Sequence, residues 1–90
     1  MKLTTEEYNV LNHITSVTKT DCWFSLKTDK DGNDYVYDLE ENCKMTLQKA
    51  VGQLYEATFW MTMNDWEELG IDTQEIIVYT ELLKKCEIIY

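Results

Sequence analysis

The chain has no proline, no arginine, one histidine (His13) and only three glycines, Gly32, Gly52 and Gly70, in 90 residues. Without proline the strongest helix breaker is gone, so the ends of helices must be set by side chains that cap them. Without arginine there is no planar fork to read guanine or clamp phosphates. Eight lysines against seventeen acids, a net charge of −9, also disfavour phosphate binding by counterion release. Direct nucleic-acid binding is therefore not expected. The glycines are isolated, which excludes a glycine-rich phosphate loop. Cys22, Cys43 and Cys86 are odd in number and form no CxxC pair. That excludes a disulfide framework and leads to an expectation of buried, inert, reduced thiols in the cytoplasm. No apolar run approaches membrane-spanning length, and the opening MKLTTEEYNV turns polar at once. The sequence reading is thus a cytoplasmic protein with neither export signal nor membrane span.

What remains is a composition that folds. Apolar residues make up 44% and charged residues 28%, so the acid excess is not accompanied by the low hydrophobicity of disordered chains. The length suits one domain, residues 1–90, with a core that needs no staples. The spacing predicts a single small α+β domain: an N-terminal helix, a β-hairpin, then amphipathic helices. A capping box, Thr4 to Glu7, with Leu3 and Tyr8 placed as a hydrophobic staple, starts a helix near Thr5. Tyr8, Leu11, Ile14 and Val17 share its buried side, and His13 falls near the polar edge. In TLQKAVGQLYEA the residues Leu47, Ala50, Val51, Leu54 and Tyr55 lie on one arc, which predicts a helix over 47–57 capped by Thr46. The run TFWMTM fits neither strand nor helix better. NDWEELG offers Asn64 as a cap, Glu67 three residues inside the helix and Gly70 as terminator, with Trp66 and Leu69 facing inward. Asp72 to Glu75 forms another capping box, opening a helix over 73–86 with Ile76, Tyr79, Leu83 and Cys86 on one stripe. The closing EIIY either adds a strand or ends that helix.

The segment KTDKDGNDYVYDLEEN, residues 27–42, sets six acids and two lysines around one Gly-Asn pair. As a calcium loop with Gly32 at its sixth position, it would place Lys27 where the first carboxylate belongs and Asp38 where a bidentate glutamate belongs. A hairpin turn is the better reading, with CWFSLKT and DYVYDLE as its strands and Gly32 and Asn33 supplying left-handed backbone. Alternation then puts Trp23 and Phe24 on opposite faces, so one of them is an exposed aromatic.

Catalysis needs a nucleophile with a base, a metal set or a phosphate loop, and the sequence offers none with a local signature. His13 and Cys22 carry no dyad motif, and His13 with the three cysteines lacks the paired spacing of structural zinc. The chain reads as a non-enzyme without cofactor or metal. Between Lys49 and Lys84 lie seven acids and no base, which is either a solvated face that keeps the protein soluble or a surface offered to a basic protein partner.

DKDGNDYVYDLEEN followed by an amphipathic helix, in a small, acidic, arginine-free chain, resembles over residues 29–55 a segment of small phage-encoded anti-CRISPR inhibitors of Cas9. More broadly, the composition resembles accessory proteins of phages and conjugative elements of low-GC bacteria. Such inhibitors act as acidic decoys in a site meant for DNA. The resemblance implies that Asp29, Asp31, Asp34, Asp38, Glu40 and Glu41 form the matching surface, and Trp23 joins them as a candidate anchor. The helices and hairpin are also loosely the parts of a winged helix, although a recognition helix reading DNA should be basic. Calorimetric titration of the reduced protein with calcium and with zinc is expected to show no tight site. A stoichiometric heat at micromolar metal would overturn that expectation.

Overall fold

The computed structural model describes residues 3–90 and starts with a reciprocal cap. The Thr4 hydroxyl accepts the Glu7 N–H at 3.1 Å, and the Glu7 carboxylate accepts the Thr4 N–H at 2.9 Å. Two N–H groups that a helix start leaves without partners are thereby satisfied, and α1 runs from there, Thr5–Thr18. Val10, Leu11 and Ile14 are buried along one side, as the spacing predicts, and Leu3 is buried with Tyr8 packed beside the core. Lys19, in the left-handed region, ends the helix and hands the chain to a single 3₁₀ turn, Thr20–Cys22.

Three antiparallel strands follow in the order β1 (Phe24–Thr28), β2 (Asp34–Asp38) and β3 (Cys43–Met45). The β1–β2 connection is the expected turn, built around one carboxylate: Asp29 Oδ1 accepts the N–H groups of Asp31 and Asn33, each at 2.9 Å. Gly32 takes the left-handed conformation at φ 81°. Asn33 does not, because Asp29 already fixes its N–H and one glycine suffices to reverse the chain. β3 is not foreseen by the sequence. Asp38 Oδ1 accepts the N–H groups of Glu40 and Glu41, Asn42 turns left-handed at φ 55°, and three residues pair back on β2. Across the sheet Leu26, Val36 and Met45 align toward the core, while Ser25, Tyr37 and Lys44 align on the other face. Tyr8 donates its hydroxyl to the Leu26 carbonyl at 3.3 Å, so α1 covers part of the outer edge of β1.

Thr46 caps α2, Leu47–Thr58, whose Ala50, Val51 and Leu54 are buried. Residues 59–62 are neither strand nor helix but a connection into α3, Met63–Glu68. Here the cap is Thr62 with Asp65, not Asn64 with Glu67: the Thr62 N–H and hydroxyl both reach Asp65, and the Asn64 amide turns instead to Glu68. Both pairs satisfy the spacing of a capping box. Gly70, at φ 81°, terminates as expected, and Asp72 with Glu75 opens α4, Thr73–Lys85. The segment IIVYT is helical, and residues 86–90 end the helix without adding a strand, the chain turning through Glu87 at φ 60°.

The helices and the inward face of the sheet enclose one core with Ile14, Val36, Val51, Leu54 and Leu82 at its centre. Trp66 meets Tyr79 edge-on at 5.9 Å. Of the residues the spacing sends to the core, Leu47, Leu69 and Ile76 are half-buried and pack against it. No helix among the described residues is long and apolar enough to cross a membrane.

Two polar links bind α1 to α4. Lys85 donates to the Glu7 carboxylate at 2.9 Å, and His13 Nδ1 meets Glu75 Oε2. The pairing of 7 with 85 and 13 with 75 fixes the helices antiparallel. Burial alone would push the Glu7 carboxyl up, but the Thr4 N–H and the Lys85 ammonium outweigh it and hold it below the usual glutamate value. Because the folded value lies under the unfolded one, this stabilisation is complete above the unfolded value and is lost as pH falls through the folded value. Glu7→Gln is expected to cost about 1–2 kcal/mol at neutral pH. In urea unfolding followed by circular dichroism, the gap between variant and native protein should close on acidification through the carboxylate range.

Candidate functional site

The structure divides the six candidate acids between the two ends of β2. Asp29, Asp31 and Asp34 surround the hairpin turn; Asp38, Glu40 and Glu41 lie at the far end, about 13 Å away at the usual rise of a strand. Three of them are committed to backbone groups. Asp29 holds the turn, Asp34 accepts the Leu3 N–H at 3.2 Å and the Thr28 hydroxyl at 3.0 Å, and Asp38 holds the 39–42 turn. Asp38 is buried, at 8% exposure, because it sits on the inward face opposite Phe24. Asp31, Glu40 and Glu41 are exposed.

Between these two ends the outward face of the sheet is not acidic. Lys27 and Lys44 share it with Tyr35 and Tyr37, and the Lys44 ammonium stands 4.6 Å over the Tyr35 ring. The hairpin therefore carries acid at its tips and a lysine–tyrosine surface along its length.

Phe24 is the buried aromatic of the β1 pair, which leaves Trp23 40% exposed. Trp23 lines a recess of about 370 Å³ with Asp38, Glu40, Glu56 and Ala57. Ala57 also lines a second recess of about 300 Å³, together with Trp60, Met61, Leu69, Asp65 and Glu68. Trp60 is 64% exposed, and its indole N–H donates to the Ala57 carbonyl at 2.9 Å, which fixes the ring against the end of α2. Phe59 and Met63 beside it are also exposed. Two tryptophans thus line recesses that share one alanine, each with carboxylates among its walls.

Sequence reasoning reaches Trp23, Asp38 and Glu40 of this surface by name and Glu56, Asp65 and Glu68 as members of the base-free stretch between Lys49 and Lys84, and it misses Trp60. The available signal is the uncharged TFWMTM run: directly after an amphipathic helix that has completed its buried stripe, a Phe-Trp pair has no inward position left.

The thiols depart from expectation. Cys86 is buried, and burial with the nearby Glu7 charge pushes its thiol up, but Cys22 and Cys43 are exposed. The 3₁₀ turn takes Cys22 out of the strand alternation, and Cys43 lies on the short third strand. Cys22 donates to the Lys19 carbonyl at 3.1 Å, whereas His13 faces Glu75, so the two do not pair. Burial raises the Tyr79 hydroxyl to about 12 even though the Thr58 hydroxyl sits 3.0 Å away. Among the described residues no group of three or more His, Cys, Asp or Glu is arranged to hold a metal ion.

No protein-family model matches the chain, and neither curated proteins nor solved structures give a significant match.

Because Asp38 closes a turn and Asp31 closes nothing, Asp38→Ala is expected to cost about 1–3 kcal/mol and Asp31→Ala to stay within about 0.5 kcal/mol of the native protein. Denaturant midpoints of the two variants check the difference.

Proposed function

We propose that this protein is a non-enzymatic interaction or regulatory module that docks an acidic surface on a basic site of another protein. It acts in the bacterial cytoplasm, in the manner of the accessory proteins that mobile elements encode. The observation that supports this most is the Trp23–Ala57–Trp60 surface, lined by Glu40, Glu56, Asp65 and Glu68, the last three from the stretch between Lys49 and Lys84 that contains no base. Aromatic side chains that are held in place yet exposed supply apolar contact at low entropic cost, and acids around them steer a cationic partner and reject an anionic one. If the partner is itself a nucleic-acid-binding protein, occupying its basic site makes this chain an acidic decoy for DNA.

Two charge-reversed variants separate the acidic regions: Asp31→Lys at the turn, and Glu40→Lys with Glu56→Lys at the recess. The native protein is expected to capture a basic nucleic-acid-binding partner that salt then releases. The recess variant should lose that partner and the turn variant should keep it. Electrophoretic shifts in low salt, where phosphate attraction is greatest, should show no DNA or RNA binding. A clear DNA shift would overturn the proposal in favour of a winged-helix regulator. Equal capture by all three proteins would remove the acidic surface from the interaction.

A further inference from the structure

We infer that the recess beside Trp60 is a socket for one arginine side chain of the partner, presented from a basic segment with an apolar face. This rests on the docking reading above and adds the identity of the group that is bound. At about 300 Å³ the recess suits one or two side chains and is too small for a helix. Its apolar members, Val17, Ala57, Met61 and Leu69, suit the aliphatic stem of a long side chain. Its polar lining is Thr18, Asp65 and Glu68, one hydroxyl and two carboxylates, with no lysine among the lining residues.

Trp60 completes the argument. Its single side-chain donor is already engaged by the Ala57 carbonyl, so the ring has no further hydrogen bond to make, and the residue is 64% exposed. What it offers a ligand is a π-face, and among aromatic rings indole is the strongest for a cation. Asp65 uses Oδ2 for both Thr62 contacts, and Oδ1 accepts no hydrogen bond within the described chain. A planar guanidinium stacks on an indole and pairs with a carboxylate at once, which an ammonium does less well. The chain itself contains no arginine, so neither an intramolecular contact nor a second copy can supply the group the socket fits.

The probe is a synthetic amphipathic peptide with leucine on one face and arginine on the other, together with its lysine and glutamate counterparts, titrated calorimetrically at low salt. The arginine peptide is expected to bind more tightly than the lysine peptide, and the glutamate peptide not at all. Trp60→Ala should weaken the arginine peptide about tenfold, Trp60→Phe should recover part of the loss, and Glu68→Gln should weaken binding and flatten its salt dependence. Trp60 is exposed, so far-UV circular dichroism of these variants should match the native protein. Arginine-peptide binding that Trp60→Ala and Glu68→Gln leave unchanged would overturn the socket while the acidic docking surface stands. No binding of either basic peptide would overturn both. A concentration-dependent dimer abolished by Trp60→Ala would assign the patch to a second copy and overturn the socket as well.

Discussion

A single carboxylate holds the two ends of the architecture together. One oxygen of Glu7 takes the Thr4 N–H that starts α1, and the other takes the Lys85 ammonium on the last turn of α4. The antiparallel seating of α1 on α4 follows from that contact and from His13 on Glu75. α2 packs between this pair and β2, and the sheet closes the far side through Phe24 and Val36. A buried glutamate is costly unless its oxygens are partnered, and here they are: no buried side-chain polar atom among the described residues lacks a hydrogen bond.

Glu7 is one instance of a wider economy. Asp29, Asp34, Asp38, Asp65, Asp72 and Glu75 also accept backbone N–H groups, each at a turn, a strand end or a helix start. A chain without proline and with few glycines has punctuated its elements with carboxylates and threonines instead. The net charge of −9 is therefore in part an architectural quantity, and it overstates the acid available to a partner. Glu40, Glu56 and Glu68 are exposed and carry no capping duty, and they gather around the exposed tryptophans, not around the hairpin turn.

This division also explains what could be read in advance. α1, α2 and α4 were legible because a cap and a helical period agree in each; at Asp72 the box outweighs the strand propensity of IIVYT. α3 was legible as a helix but not to the residue, since two overlapping boxes, Thr62 to Asp65 and Asn64 to Glu67, fit the spacing and the helix uses the first. β3 was hidden because three residues, one a lysine and one a cysteine, are too few for a period of two to show. The burial of Asp38 was within reach: it stands two residues from Val36 and opposite Phe24, so the alternation that places Phe24 inward also places Asp38 there. The Trp60 recess was out of reach, because it forms where α2, α3 and the end of α1 converge, residues far apart in sequence.

The contact between Glu7 and Lys85 spans 78 positions, and α1 packs more extensively on α4 than on any other helix. During translation Val10, Leu11 and Ile14 must wait for α4, with only the hairpin and α2 able to shield them in the meantime. Closure of so long a loop is favourable only when many contacts form together, so α1 and α4 should gain their packing in one cooperative step once both segments are present. A chain cut short before Thr73 would leave the apolar side of α1 to the hairpin and α2 alone and lose the Lys85 partner of Glu7.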